Sequence, residues 1–208
     1  LFSKAKSNRA RLKKGLNANN DPAPVGFHTQ AGYAMKTITQ HPKNDYDIDD
    51  GVYFTKESLI GSRGADKEAL AARQMVAAAL KDERFKTPPE VRGNCVRIYY
   101  DDGYHIDVPV YRVITEKNLF SGKETKKYEL ASADWKSADA RAVSKWFQAQ
   151  NQTKCSDASD QHNDGQFIRV TRLMKGFRRS RESWKGQITS GFGITKLVSD
   201  HFQEYVGR

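Results

Sequence analysis

The chain has 208 residues, 38% of them apolar, with 35 basic against 25 acidic side chains and a formal net charge of +10. That length fits one large domain or two small ones with a true core. No apolar run approaches the ~18–20 residues of a membrane-spanning helix, and the first residues, Leu1 to Lys6, lack the apolar segment of a secretory signal. Cys95 and Cys155 are isolated, with no metal-ligand spacing, so the expectation is a cytoplasmic, reduced protein that docks on no membrane.

In chain order, residues 1–16 read as a basic helix with Leu12 and Leu16 on one face, carrying Lys4, Lys6, Arg9, Arg11, Lys13 and Lys14 without an acid. Asn17 to Gly26 is dense in turn formers. Next comes Thr29 to Thr37, where Ala31-Gly32 is a small-residue pair ahead of a helix. Such a pair lets backbone amides approach a phosphate, although Ala-Gly also occurs in ordinary turns.

The stretch Asp45 to Phe54 begins acidic and ends apolar. A strand over 47–55 puts Asp47 and Asp49 on one face and Ile48 on the other. Two readings fit. One is an acidic turn before a strand, since Asp suits turns. The other is a carboxylate pair held together by a cation, and oxygen ligands favour Mg2+ or Mn2+.

Residues 66–82 have helical periodicity, with Leu70, Met75, Val76 and Leu80 on the predicted buried side. Pro88-Pro89 interrupts the chain. Residues 91–100 and 104–113 read as two strands joined by Asp101-Asp102-Gly103, a hairpin signal. Asp107 is a lone carboxylate inside an apolar run, and a buried Asp needs a cation or a donor; a strand-end cap is the plainer alternative. A further strand is predicted over 126–131, a helix over 139–148, a polar loop over 150–165, and helices over 166–182 and 190–205. Residues 169–185 hold seven basic side chains against Glu182 alone, whereas carboxylates concentrate in 45–50, 101–107 and 156–164. A basic chain with an acidic centre suits a metal-dependent enzyme acting on phosphates. Three converging carboxylates would serve two metals in an in-line displacement, with one carboxylate helping to deprotonate the attacking hydroxyl. The element order gives an α+β first part, 1–135, and a helical second part, 136–208.

A glycine-containing turn, then Asp-x-Asp, then a third Asp on a later strand resembles the DNA polymerase β-like nucleotidyltransferases. Within them the chain looks like the CD-NTases, the bacterial cyclic-oligonucleotide synthases related to animal cyclic GMP-AMP synthase, and most like their DncV type. The resemblance rests on Thr29-Gln30, Asp47-Ile48-Asp49-Asp50-Gly51 with Tyr53, Cys95-Val96-Arg97-Ile98, His105-Ile106-Asp107-Val108-Pro109, Trp135 with Trp146-Phe147, and Arg172 to Arg178. It implies a polymerase β-like nucleotidyltransferase core, a mixed sheet with helices, followed by a helical lobe, with the active site between them. It implies that Asp47, Asp49 and Asp107 are catalytic and hold Mg2+ or Mn2+. Gln30, Ala31 and Gly32 would form the donor-phosphate turn, Lys175 and Ser190 would touch the donor triphosphate, and Arg97 would lie near the nucleotides. The implied function is synthesis of a cyclic GMP-AMP-like messenger from ATP and GTP in bacterial antiphage (CBASS) signalling. No obligatory DNA activator is expected, and a separate effector protein would read the product.

On the residues alone, Lys175 with Arg172 and Arg179 also reads as a solvated helix face, and Ser190 as the cap of the last helix. The family carries Gly-Ser where this chain has Ala31-Gly32, so a phosphate-binding hydroxyl is missing. Two alternatives keep the fold: a linear nucleotidyltransferase modifying RNA or protein, and a weak or inactive relative. A silent nucleic-acid-binding module is a third, but the basic segments have few interleaved aromatics for base stacking, and it leaves the Asp cluster without a purpose.

Overall fold

The computed structural model describes residues 2–39, 47–61, 64–101, 103–156, 165–184 and 186–205. Asp45, Tyr46, Asp102, the acidic stretch 157–164 and Lys185 lie outside the described residues. The chain divides into two compact units, residues 1–29 with 47–139, and residues 30–46 with 140–208.

The first unit begins with α1 (Phe2–Ala18). Ala5, Leu12 and Leu16 are buried along one side of it, as a helical repeat dictates. They pack with α3 (Ala69–Ala79). The approach is close at Gly15, where a Cβ would lie 1.9 Å from the Ala79 carbonyl oxygen. Helix α3 is shorter than its sequence pattern. Asp66 is held in a β-bridge to Ile60, and Glu68 is extended at φ −63°, ψ 153°. Leu70, predicted inward, is 47% exposed. It lies two residues, about 200° of helical rotation, from buried Ala72. The buried side carries Arg73 instead, which donates to the carbonyls of Arg92 and Ser132.

The strands are β1 (Gly26–Gln30), β2 (Asp47–Thr55), β3 (Glu90–Val91), β4 (Val96–Tyr99), β5 (His105–Val108), β6 (Val110–Lys117), β7 (Glu124–Ala131) and β8 (Trp135–Ser137). They pair along the path β3-β4-β5-β2-β6-β7-β8, and β1 pairs β2. The two strands predicted over 91–113 are each broken, one between β3 and β4 and one at Pro109. Proline has no N–H for the ladder. Its carbonyl still accepts from the Val52 N–H at 2.9 Å, so β5 and β6 keep one parallel register along β2, with Asp49 opposite Asp107 and Val52 opposite Val110. Strand β7 is longer than predicted, and β8 was not predicted.

The period of two sorts the sheet into two faces. Val52, Phe54, Val96, Ile98, Ile106, Val108 and Val110 are buried in one core cluster with α1 and α3. Each large side chain buried there contributes roughly 1.5–3 kcal/mol. The opposite face carries Asp47, Asp49, Arg97, His105 and Asp107, and beyond them Tyr53 stacked on Tyr111 at 4.7 Å.

The second unit contains α2 (Ala31–Ala34), α4 (Ala140–Lys154), α5 (Gly165–Arg179) and α6 (Gly191–His201) around Met35, Phe147, Cys155, Phe167, Ile168, Ile194 and Val198. Helix α4 runs on to Lys154 through residues predicted as loop. Ser144, Phe147 and Asn151 repeat at three and four residues as its buried stripe, so packing extends a helix that polar composition had ended at 148.

Candidate active site

The candidate site is built on the sheet face away from α1 and α3. Asp47 pairs with His105 and Asp49 with Asp107 across the parallel strands β2 and β5. Four polar side chains therefore project side by side, because alternate residues of a strand share a face. Ligand atoms of Asp47, His105 and Asp107 all lie within 4.8 Å of one another. Donors bound to one small cation at ~2.1 Å are about 3–4 Å apart, so side-chain shifts on the order of 1 Å would close this set on a divalent ion. The residues present fit such an ion.

Asp107 is 7% exposed, yet it is satisfied. Arg97, its partner across β4–β5, donates Nε–H to Oδ1 and Nη2–H to Oδ2, both at 2.7 Å. This two-pronged contact raises the Arg97 pKa further above its ordinary value, the hydrogen bond to Asp107 being the main cause. Asp49 has no equivalent fork. Burial first, then the charges of Asp47 and Asp107, push its carboxyl up to about 7, against the opposing pull of His105 and Arg97. The metal-free fold therefore disfavours its ionised form. Beside it, burial and Asp107 push the Cys95 thiol up to about 12, which removes it as a thiolate nucleophile.

His105 is a site residue that sequence reasoning passed over. Its Nε2 lies 3.8 Å from Asp47 Oδ2. The available signal was its spacing two residues before Asp107, on the same face of the same strand.

Asp50, next to Asp49, points to the other face and is 2% exposed. Arg9 of α1 donates Nε–H to Oδ2 at 2.7 Å and Nη2–H to Oδ1 at 2.5 Å, and the Thr29 hydroxyl donates to Oδ1 at 3.0 Å. This acid therefore anchors α1 and β1 to the back of the strand that presents Asp47 and Asp49.

The remaining sequence-predicted residues, apart from Arg97, belong to the second unit. Gln30 ends β1 and is buried. Ala31 has φ +53°, in the left-handed region, whereas Gly32 is not among the glycines with positive φ. The Gly32 carbonyl accepts from the Thr37 N–H at 2.7 Å, which folds 31–37 back on itself. The basic face of α5 grips the following segment: Arg172 donates to the Lys36 carbonyl at 2.6 Å, Lys175 to the Thr37 hydroxyl at 2.7 Å and Arg179 to the Thr39 carbonyl at 3.0 Å. That face is thus engaged rather than simply solvated. Ser190 caps α6, its Oγ accepting from the Gly193 N–H at 3.1 Å. A Cβ on Gly191 would sit 3.9 Å from Lys175 Cε, so the turn, Lys175 and the start of α6 form one polar cluster.

Residues 25–111 match the model of the nucleotidyltransferase domain of cyclic GMP-AMP synthase DncV-like proteins. Among solved structures, the chain resembles the CD-NTase CdnG of Bradyrhizobium diazoefficiens in complex with GTP, at TM-score 0.62 and 16% identity, covering 96% of this chain and 64% of that one. It resembles the CdnE cyclic dinucleotide synthase of Elizabethkingia meningoseptica with GTP and Apcpp, at TM-score 0.64 and 15% identity, covering 94% and 68%. It also resembles the DncV cyclic AMP-GMP synthase of Vibrio cholerae in complex with the linear intermediate pppA(3′,5′)pG, at TM-score 0.61 and 25% identity, covering 88% and 47%. The fold is that of the polymerase β-like nucleotidyltransferases. The chain spans about two thirds of CdnG and about half of DncV.

Proposed function

We propose that this chain belongs to the CD-NTase family, a reading supported by the match of residues 25–111 to the DncV-like nucleotidyltransferase domain and by its fold, and that it transfers nucleotidyl groups between ribonucleoside triphosphates and closes the product into a cyclic oligonucleotide. One observation carries the reading. The β2 and β5 strands of the matched domain set Asp47, Asp49 and Asp107 on one face, with ligand atoms of Asp47 and Asp107 within 4.8 Å of one another.

Asp47 and Asp107 are the residues that would hold a divalent ion, Mg2+ or Mn2+, which when bound neutralises charge building up on the reacting phosphate. Asp49, beside them on the same face, would complete the carboxylate set, and a carboxylate there would help take a proton from an attacking ribose hydroxyl. Arg97 holds Asp107 in place and presents a fixed positive charge beside the site for a phosphate or base. In the second unit, the amides of Gln30-Ala31-Gly32, with Lys175 and Ser190, would contact the donor triphosphate. ATP and GTP are the proposed substrates, the product is cyclic GMP-AMP-like, and its role is bacterial antiphage signalling through a separate effector.

The test is to incubate the protein with radiolabelled ATP and GTP and Mg2+ or Mn2+, treat with phosphatase and separate the products. A cyclic product keeps its label. A linear product loses its terminal phosphates and assigns the protein to linear transfer. No product, together with no binding of triphosphates, overturns the reading.

A further inference from the structure

Building on that reading of the site, we propose that His105 is a nitrogen ligand of the bound cation, so that the centre is a mixed nitrogen and oxygen site tuned to a first-row transition ion, Mn2+ above Mg2+. The argument begins from register. β5 runs parallel to β2 with His105 directly opposite Asp47, and Asp107 follows His105 by two residues on the same face. One imidazole and two carboxylates therefore converge from two strands.

Next is what the imidazole does in the metal-free protein. Nε2 of His105 is shut off from solvent and takes part in no hydrogen bond among the described residues. Its approach to Asp47 Oδ2, at 3.8 Å, is too long for a hydrogen bond. A buried ring nitrogen left in this state loses the stabilisation water would have given it. Arg97 does not supply the missing partner, because its Nε and Nη2 are both committed to Asp107. The ring of Tyr99 lies beside His105, with centroids 6.4 Å apart. The nitrogen lies 3.8 Å from Asp47 Oδ2, and one ligand atom each from Asp47, His105 and Asp107 lies within 4.8 Å of the others.

The chemistry then selects the ion. Mg2+ is small and hard, keeps its waters and takes oxygen donors. An imidazole gains little from it. First-row transition ions accept oxygen and nitrogen together, with affinity for nitrogen rising along the series from Mn2+. Two carboxylates keep the site hard enough for Mn2+, while one imidazole moves the preference away from Mg2+.

The experiment uses Mn2+ as the probe. Binding of Mn2+ and of Mg2+ in competition is measured on the wild-type protein and on His105→Gln and His105→Asn, each checked by thermal melting. Pulsed electron paramagnetic resonance is recorded on the Mn2+ form of protein grown with ordinary and with 15N-labelled histidine. We expect a histidine nitrogen coupling that changes isotope with the label, with no substitution needed. We also expect Mn2+ affinity to fall about tenfold or more in either variant, as loss of a metal-site partner does, while Mg2+ affinity changes less than about twofold, because it has little use for the nitrogen. A Mn2+ signal without histidine coupling overturns the proposal, as does an equal loss of both ions in the variants. Failure of the underlying active-site reading looks different: wild-type protein binds neither ion, or binding ignores Asp47→Asn.

Discussion

Asp49 stands directly across the β2–β5 pair from Asp107, and Arg97 closes on both oxygens of Asp107 at 2.7 Å. The two acids are neighbours in one sheet, but among the described residues only Asp107 has a counter-ion of its own. Negative charge is neutralised on one side of the pair and left to accumulate on the other. That asymmetry makes Asp49 the acid whose charge the sheet itself offsets least of the two.

The first prediction follows for Asp49. Its carboxyl titrates at about 7 in the fold against 3.8 in a model peptide. Between those values the folded protein keeps a proton that the unfolded chain has released, so stability is greatest near pH 4 and falls as pH rises toward ~7. At about 1.4 kcal/mol per pKa unit, the contribution is at most ~4 kcal/mol. Asp49→Asn should remove this slope, raise the metal-free melting temperature above neutral pH and abolish nucleotidyl transfer. Denaturation at several pH values, without metal, measures it. A lower melting temperature for the Asn protein above neutral pH would identify Asp49 as a structural acid.

The second concerns Asp50, whose role is mechanical. With Arg9 removed, a carboxylate only 2% exposed keeps Thr29 as its one side-chain donor among the described residues. Breaking a buried pair from one side costs roughly 3–5 kcal/mol, and the partial exposure of Arg9 places Arg9→Ala near the lower end. Asp50→Asn should cost less, because the amide oxygen in the place of Oδ1 still accepts from Arg9 Nη2 and Thr29 and no buried charge is left unpaired, while the contact of Arg9 Nε is lost. Urea unfolding of both variants tests the order. If Arg9→Ala is no less stable than Asp50→Asn, the anchor is not what holds α1 to the sheet.

The third concerns the departure at Ala31-Gly32. Ala31 has the left-handed φ of +53°, which costs a non-glycine residue about 1 kcal/mol. Ala31→Gly should therefore stabilise the protein by roughly that amount, less the entropy of a freer unfolded chain. Gly32 carries no such constraint, and a Cβ there would meet Ile38 Cγ1 at 3.4 Å, an ordinary contact. Gly32→Ser should fold normally. If this turn holds the donor phosphates, the new hydroxyl adds one charge-assisted hydrogen bond of about 1.5–3 kcal/mol. That amounts to about tenfold or more in nucleotide affinity. Unchanged affinity at unchanged melting temperature would remove the turn from the triphosphate site.

Much of the sheet face was legible because a strand's period of two is a local property. It set Asp47 with Asp49, put Ile48 behind them, and required Asp107 to share a side with His105. It carried no information about which strand lies next to which. Whether Asp49 faces Asp107 or a neighbour two residues away is a matter of register, and register is decided by strand pairing. The sequence showed Asp50 as one more acid in a run. Only the packing of α1 brought Arg9 across 41 residues of chain to hold it. Leu70 illustrates the same limit on a helix, where an apolar residue in a plausible place was turned outward and Arg73 taken in.

What the sequence determined by itself is the chemistry available: three carboxylates in two strand-forming segments, a small-residue turn and a basic helix, in an order shared with one family. Tertiary structure decided which of these groups meet. It assigned Arg97 to Asp107, brought the His105 nitrogen beside Asp47, and grouped residues 30–46 with 140–208 rather than with their chain neighbours. The physical reason is that burial, like-charge repulsion and hydrogen-bond satisfaction act between groups distant in the chain, and their balance exists only once the strands have paired.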